Sequence, residues 1–267
     1  MAGEFIEVIG CGEAFGTKLG NTSFALVRSD GRARRRRGLL IDCGYQIPER
    51  VWDRNFHPDA VVLTHLHADH AFGLVPLLVR EWEEGRTEPF VIYGPRGTAR
   101  WLERALDLGY PAIRAKFGFE LRIEELAEGR EACWENWRIR CARTAHSVLT
   151  HTLRLDRADG ASFAVSGDGA ITDPVARLLR ADGGVDLLFQ EVFTRAHSVS
   201  SAVHADWESV LNRYGGVGGE AAPARKIVVA HVSRHERAAV GAAVRRAPGA
   251  EMAVPGARFR LKGGGTG

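Results

Sequence analysis

Four metal-binding side chains directly follow a short apolar run in the segment Ala60-Val-Val-Leu-Thr-His65-Leu-His67-Ala-Asp69-His70. The apolar residues before the first histidine are typical of a strand buried in a sheet, so the polar side chains emerge where that strand ends. His65 and His67 project to the same side of an extended chain and can reach one cation. Asp69 and His70 open the next helix and can face a second cation. The spacing therefore predicts half of a two-metal site.

The His-x-His-x-Asp-His order of this segment resembles the signature of the metallo-β-lactamase superfamily. A lone histidine on an apolar strand is more often a hydrogen-bonded core residue than a ligand, but four such side chains in this order suit a coordination geometry. The resemblance implies an α/β protein folded as a four-layer αββα sandwich. It also implies a dinuclear metal centre between the two sheets.

Three further metal-binding side chains occur in the chain order that the resemblance requires. Each comes shortly after an apolar, strand-like run, and active sites on layered α/β sheets commonly lie at strand ends. Glycines flank the candidate Asp168 and allow the close backbone approach that a carboxylate between two cations needs. On this resemblance the first ion is held by His65, His67 and His146, the second by Asp69, His70 and His231, and Asp168 bridges both.

Length and composition favour one domain. The chain has 267 residues and is 45% hydrophobic, which is enough for a substantial core. We expect a single domain over residues 1–262 and a flexible, glycine-rich tail at 263–267. Strands are predicted at 5–9, 23–27, 38–41, 60–64, 90–93, 137–141, 152–155, 163–166, 185–189, 227–230 and 255–261. Helices are predicted at 71–84, 98–108, 174–180, 205–214 and 236–246.

The amino terminus and the cysteines favour a cytoplasmic protein without a membrane partner. The chain enters a strand-like run at once, and it lacks the basic and apolar regions of a signal peptide. No apolar run approaches the roughly 20 residues that a membrane span needs. The cysteines have no Cys-x-x-Cys spacing and lie beside or inside apolar strands, so buried, reduced thiols are expected at Cys11, Cys43, Cys133 and Cys141.

A basic cluster lies between two early strands. The net charge is only +3, but Arg32 and Arg34–Arg37 concentrate positive charge in one loop. Such a run is usually a solvated turn, with phosphate capture or nucleic-acid contact as the alternative. No aromatic residue interleaves the cluster, which weakens a role in binding single strands, because that role needs stacking platforms.

Two residues outside the ligand set indicate a branch of the superfamily. The segments around Glu191 and His204 resemble the phosphodiesterase branch, which includes the tRNA 3′-processing endonucleases (ribonuclease Z) and the cyclic phosphate diesterases of phosphonate catabolism. On that match Glu191 orients His204, and His204 meets the phosphate; the alternative is a surface histidine that caps the next helix. We assign Asp69, His204 and Glu191 as catalytic residues, and Asp42 as a carboxylate that supports the ligand histidines.

The predicted function is that of a dinuclear metal-dependent hydrolase, a phosphodiesterase acting on a compact or cyclic phosphate ester. A hydroxide held between the two ions would attack phosphorus near neutral pH. We expect two divalent ions, with zinc favoured over manganese or iron. The long arm that grips tRNA in the endonucleases is typically inserted between the residues equivalent to His146 and Asp168, and about 21 residues separate them here. A small phosphate ester is therefore favoured over RNA as the partner, and a homodimer is left open.

Three alternatives stay open at this point. An endonuclease for structured RNA would need a compensating basic surface, for which the arginine loop is the candidate. A hydrolase of lactones, carboxylic esters or thioesters would not need His204. A metal-stabilised binding or scaffold protein without turnover is a third, which the intact ligand set disfavours.

Overall fold

Two β-sheets form the centre of the molecule, whose computed structural model describes residues 3–29, 36–215, 217 and 222–261. The strands are β1 (Gly3–Gly10), β2 (Ser23–Ser29), β3 (Arg36–Ile41), β4 (Phe56–Val62), β5 (Phe90–Pro95), β6 (Leu121–Leu126), β7 (Ala132–Trp134), β8 (Trp137–Arg143), β9 (His151–Arg157), β10 (Ser162–Val165), β11 (Val185–Glu191), β12 (Ala224–Ala230), β13 (Ala250–Met252) and β14 (Arg258–Arg260). The helices are α1 (Ile47–Asp53), α2 (Ala68–Ala71), α3 (Leu74–Glu83), α4 (Thr98–Gly109), α5 (Asp173–Arg180), α6 (Trp207–Tyr214) and α7 (Arg237–Val244). Short 3₁₀ helices lie at Ile113–Lys116, Ala181–Gly183 and Val199–Ala202.

Over the described residues, the two sheets have seven strands each and the same pairing pattern. Their spatial orders are β14-β1-β2-β3-β4-β5-β6 and β13-β12-β11-β10-β9-β8-β7. In each sheet three antiparallel pairings precede three parallel ones along the chain, with β14 returning from the carboxyl-terminal region to pair with β1. The second half of the chain thus repeats the first.

Three apolar clusters define four layers. One lies between the sheets and includes Phe24 and Phe163, whose strands belong to different sheets. A second joins the outer face of the first sheet to α1, α3 and α4. A third joins the outer face of the second sheet to α5, α6 and α7. The predicted αββα sandwich is confirmed, because an apolar face on each side of each sheet must be covered by another layer.

The structure differs from the predicted elements where an element is short or polar. The seven-residue α1 is too short to show a helical period, and β7 and β13 have three residues each. The strand β6 is charged and lies at the edge of its sheet, so its sequence lacks a buried apolar run. The helix predicted over 71–84 is split into α2 and α3 at Gly73, where a Cβ atom would lie 2.3 Å from the carbonyl oxygen of Gly44.

Backbone hydrogen bonds join the two sheets at one edge. The amide of His231, directly after β12, donates to the carbonyl of Cys11 at 3.1 Å. The amide of His151, at the start of β9, donates to the carbonyl of Thr64 at 3.0 Å. These bonds fix the loops that follow β1 and β4 against the second sheet, so side chains from both sheets meet at this edge.

Several expectations concern the exterior of the molecule. Three of the cysteines are buried, but Cys133 is exposed. In the edge strand β7 alternate residues are buried, and Cys133 is the exposed residue between Ala132 and Trp134. All four cysteines are free thiols.

Within the described part of the chain, every helix is too short or too polar to cross a bilayer. The tail at 263–267 lies outside the described residues, and the domain boundary at 262 stays a prediction.

The basic loop is described only in part. Arg32, Arg34 and Arg35 lie outside the described residues. Arg36 Nη2 lies 2.6 Å from Glu7 Oε2, and Arg37 Nη2 lies 2.6 Å from Asp59 Oδ1. These two arginines are therefore committed to intramolecular ion pairs.

Candidate metal centre

Three histidines form the first cluster, as the sequence predicts. Nitrogen atoms of His65, His67 and His146 all lie within 4.8 Å of one another. The Nε2 atom of His146 lies 3.2 Å from Nδ1 of His67. Burial lowers the pKa of all three imidazoles, so they are neutral and offer lone pairs. A set of neutral nitrogens converging on one point is the donor arrangement that a divalent ion needs.

The second cluster contains two carboxylates and two histidines. Ligand atoms of Asp69, His70, Asp168 and His231 lie within 4.8 Å of one another, and all four residues are buried. His231 Nε2 lies 3.3 Å from Asp69 Oδ2 and 3.4 Å from Asp168 Oδ2. His70 Nε2 lies 3.4 Å from Asp69 Oδ2 and 3.5 Å from Asp168 Oδ1. The structure thus brings together the residues that the sequence assigns to a second ion.

Asp168 lies between the two clusters. Its Oδ2 atom is 3.4 Å from His231 Nε2 and 4.0 Å from His65 Nε2. The flanking glycines are required by space: a Cβ atom on Gly167 would lie 2.5 Å from Thr150 Cγ2, and Gly169 has φ +129°. Only glycine adopts such a φ readily, so the backbone here is shaped to place one carboxylate between the clusters.

The charge distribution of the second cluster favours a cation. Burial alone would lower the pKa of His70, but the charges of Asp168 and Asp42 outweigh it and hold the pKa well above its ordinary value. The pKa of His231 is likewise raised, because Asp168 and Asp69 outweigh its burial. The carboxylates of the second cluster thus favour positive charge at these imidazoles. A divalent ion would compete with protons for the same nitrogen atoms.

A buried nitrogen of the first cluster also favours coordination to a cation. Nε2 of His65 is buried and has no hydrogen-bond partner among the described residues. A buried nitrogen without a partner is costly, and coordination to a cation removes that cost. The two clusters can therefore hold divalent metal ions.

His204 and Glu191 form a hydrogen-bonded pair beside both clusters. His204 Nδ1 lies 2.9 Å from Glu191 Oε1, and the amide of Ala205 donates to Glu191 Oε2 at 2.8 Å. The His204 ring centre is 5.1 Å from that of His146 and 6.0 Å from that of His231. Its side chain is 18% exposed, so the imidazole can be reached from solvent.

The alternative role of His204 as a helix cap is wrong. Helix α6 begins at Trp207, and the side chain of Asp206 accepts the hydrogen bond from the amide of Ser209. Aspartate at the position before the first turn is a preferred cap, and it satisfies one of the free amides there. His204 lies outside the helix and faces the clusters.

Burial shifts the pKa of both members of this pair. Burial, followed by the charge of Asp168, raises the pKa of Glu191 well above its usual range. Burial lowers the pKa of His204 in spite of the opposing charges of Asp168 and Asp69. For His204, desolvation therefore outweighs the neighbouring carboxylate charges.

Three partners of the site escape sequence-based reasoning. The carbonyl of Val203 accepts a hydrogen bond from His146 Nδ1 at 2.5 Å, and a backbone group gives no sequence signal. Phe193 stacks on His204 with ring centres 4.4 Å apart, at a position two residues past Glu191 that only the fold reveals. Thr64 contacts both His65 and Asp42, and its signal was its place as a polar residue between an apolar strand and the first ligand.

Comparison with known proteins agrees with this geometry. “Ribonuclease BN” of Enterobacter sp. (strain 638) is 29% identical over 190 residues, which is 68% of this chain and 61% of that protein. The metallo-beta-lactamase fold protein YhfI from Bacillus subtilis has a TM-score of 0.73 at 19% identity, covering 96% of this chain and 99% of that chain. A diphosphatase from the PhnP family has a TM-score of 0.70 at 20% identity, covering 97% of this chain and 100% of that chain.

These comparisons carry different weight. At such low identity the structural neighbours show the fold, which is that of the metallo-β-lactamases. The matched part of the chain spans 61% of the length of the ribonuclease BN. The sequence model of the family described as “Anti-Pycsar protein Apyc1” matches residues 5–231, from the first strand of the fold to the last histidine of the second cluster. Since this match covers most of the chain, the chain belongs to the Anti-Pycsar protein Apyc1 family.

Proposed function

We propose that this chain is a dinuclear metal-dependent hydrolase, and that it acts as a phosphodiesterase on a compact or cyclic phosphate ester. The observation that carries the proposal is the position of the His204–Glu191 pair beside two ligand clusters that meet at Asp168. Ligand clusters alone would suit hydrolysis of many esters. A reachable imidazole next to them adds a group that can meet a phosphoryl oxygen or a leaving alkoxide.

The proposed ion count rests on the donor set. The three-histidine cluster and the cluster of Asp69, His70 and His231 are two separate sets of ligand atoms, and Asp168 lies between them. Two divalent ions bound there would lower the pKa of water and neutralise charge on phosphoryl oxygens. We propose zinc, because histidine and carboxylate ligands suit it; manganese and iron accept the same ligands.

His204 is proposed to protonate the leaving alkoxide. Because Nδ1 lies 2.9 Å from Glu191 Oε1, Nε2 is the nitrogen that remains to meet substrate. The stack on Phe193 and the bond to Glu191 fix the ring, so little ordering is needed in the transition state. A phosphodiester anion raises the pKa of a nearby imidazole, which offsets the lowering by burial when substrate binds.

A compact substrate is proposed from the loops around the site. Between His146 and Asp168 the chain forms β9, a tight turn and β10, with the amide of Gly160 donating to the carbonyl of Arg157 at 3.0 Å. This hairpin leaves no room in the sequence for an RNA-gripping arm at that position. The two described arginines of the basic loop are paired with Glu7 and Asp59, so they do not form a free basic surface.

An RNA endonuclease of ribonuclease Z type is the second candidate. It is favoured by the 29% identity to the ribonuclease BN over 68% of this chain. Such an enzyme would use the same clusters and the same imidazole, and it would differ in the surface that holds the substrate.

A substrate panel tests these candidates. Purified protein would be assayed with zinc and with manganese on a cyclic nucleoside phosphodiester, bis(p-nitrophenyl) phosphate, a precursor tRNA and a lactone. We expect hydrolysis of both small phosphodiesters, loss of activity with a chelator, and an intact tRNA. Preference for the tRNA would favour the endonuclease, and preference for the lactone over every phosphodiester would refute the phosphodiesterase.

A further inference from the structure

One buried carboxylate contacts the second ligand cluster and the residue that precedes the first ligand histidine. Asp42 is 2% exposed and follows β3 directly. Its Oδ2 atom lies 2.8 Å from Nδ1 of His70, a member of the second cluster. The same atom accepts a hydrogen bond from the hydroxyl of Thr64 at 2.8 Å, and Oδ1 accepts one from the amide of Thr64 at 2.7 Å. Both oxygens are thus engaged.

Thr64 links Asp42 to the first cluster. Its Oγ1 atom lies 3.0 Å from Nδ1 of His65, and Thr64 is fully buried. An ionised carboxylate can only accept, so the Thr64 hydroxyl proton must point at Asp42. The oxygen of that hydroxyl then accepts from Nδ1–H of His65. The direction of these hydrogen bonds fixes the tautomer of His65. It leaves the lone pair on Nε2, the buried nitrogen without a partner among the described residues.

We infer that the Asp42–Thr64 pair couples the two metal sites, with Thr64 as the positioning residue for the first. One orientation of the Asp42 carboxylate serves His70 directly and His65 through Thr64. An ion that fixes either histidine also fixes this carboxylate, so the other histidine needs less ordering when its own ion binds. Coupling of this kind is reciprocal by thermodynamic necessity. The inference rests on the proposed two-ion function.

Ser23 provides a matched control for this inference. Its hydroxyl is buried and donates to the main-chain oxygen of Asp42 at 2.7 Å. It therefore holds the backbone of Asp42, which has the left-handed φ of 57°, without touching the carboxylate. Ser23→Ala removes a buried hydroxyl bond to the same residue as Thr64→Val does. The two variants differ in which part of Asp42 loses its partner, and only Thr64→Val also removes the contact to His65.

The experiment measures metal affinity and tautomers. Zinc would be titrated into metal-stripped protein in competition with a chromophoric chelator, for the wild type, Thr64→Val, Thr64→Ser and Ser23→Ala. We expect Thr64→Val to weaken the ion at the three-histidine site by about 10–100-fold, the usual effect of losing a partner of a ligand histidine. Thr64→Ser keeps the hydroxyl and should bind as the wild type does, and so should Ser23→Ala.

Two further readouts separate positioning from folding. Long-range ¹H–¹⁵N spectra of the metal-free protein should show the Nδ1–H tautomer of His65 in the wild type and a mixture of tautomers in Thr64→Val. His231→Ala removes the second site, so it should lower the metal affinity of the first site. This fall in affinity should be smaller when His231→Ala is combined with Thr64→Val.

The outcomes are distinct. Two ions in the wild type with unchanged affinities in Thr64→Val, or an equal loss in Ser23→Ala, would overturn the coupling and leave the two-ion proposal standing. Fewer than two ions in the wild type would overturn both.

Discussion

At the scale of single residues, four histidines of the site share one property. Each uses Nδ1 to contact a group outside the clusters, which leaves Nε2 for the interior; His65, His70, His146 and His204 contact Thr64, Asp42, Val203 and Glu191 respectively. Such outer partners fix the tautomer and the ring orientation of a ligand histidine. The site is therefore pre-organised by the protein, with the imidazoles already turned toward the same region.

The first residue-scale prediction concerns proton donation by His204. His204→Ala should lower kcat on an alkyl phosphodiester by about 10²–10⁴-fold, the usual contribution of a positioned general acid. The loss should shrink for a nitrophenyl ester, because that leaving group needs no proton. Glu191→Gln should show the same dependence on the leaving group with a smaller loss of kcat. Stopped assays on both esters with metal-loaded protein would measure this.

A matched histidine serves as the control for that prediction. His197 has a side chain that is 82% exposed, so His197→Ala should keep the wild-type rate on both esters. An equal loss for alkyl and nitrophenyl esters in His204→Ala would mean that the imidazole binds substrate without donating a proton. An unchanged alkyl rate would remove His204 from the reaction.

The candidate ligands and one supporting carboxylate, Asp42, are predicted from the sequence, but the other supports are not. Residue type, spacing and position at strand ends were enough to name His146, Asp168 and His231, which the structure brings together with the first motif. These other partners are the backbone carbonyl of Val203, which lies 57 residues from His146, and the hydroxyl of Thr64, whose bond to Asp42 spans 22 residues. Such partners are defined by tertiary packing, for which a single sequence has no periodic signal.

At the scale of elements, helix α3 is held against the first sheet by a buried charge cluster. Glu81 lies 3.1 Å from Nδ1 of His57 in β4 and 3.0 Å from Nη1 of Arg86. Arg86 also donates to the carbonyls of Pro58 and Pro89, at 2.9 Å each. These contacts tie together the helix that follows the ligand motif and the strand that precedes it.

The element-scale prediction concerns pH. Burial alone would raise the pKa of Glu81, but its bonds to His57 and Arg86 outweigh this and lower the pKa below its ordinary value. A carboxylate whose folded pKa is depressed stabilises the protein above its unfolded pKa, and the stabilisation is lost as pH falls through the folded value. Glu81→Gln should therefore lower the free energy of unfolding at pH 7 by about 1–3 kcal/mol. The difference from the wild type should shrink below about pH 4.5.

Urea unfolding from pH 7 downward measures this difference, with Glu83→Gln on the same helix as the control, since Glu83 is exposed. A deficit of equal size at pH 7 and at the lowest pH would show that the ionised form of Glu81 contributes nothing.

Elements with long apolar runs could be predicted, and short or exposed ones could not. The strand over 227–230 appears within β12, and the helix over 98–108 appears as α4. The edge strand β6 carries charged residues that read as a loop, and the helix predicted over 71–84 starts before the break at Gly73, which is imposed by the approach of Gly44. Tertiary contacts decide such boundaries.

At the scale of the molecule, the site belongs to both halves of the chain. The first half supplies the segment after β4, and the second supplies single ligands after β8, β10 and β12. The two sheets share one pairing pattern, and backbone bonds from His231 to Cys11 and from His151 to Thr64 hold their edges together. The clusters therefore exist only when the sheets are packed, so ion binding is linked to the folded state.

The central claim is that each folded chain holds two divalent ions in two sites of different composition. Native mass spectrometry of zinc-loaded protein measures this directly, for the wild type, His146→Ala and His231→Ala. The prediction is two ions in the wild type and one in each variant, because each substitution removes a ligand from only one cluster. A single ion in the wild type that survives His231→Ala would contradict the account.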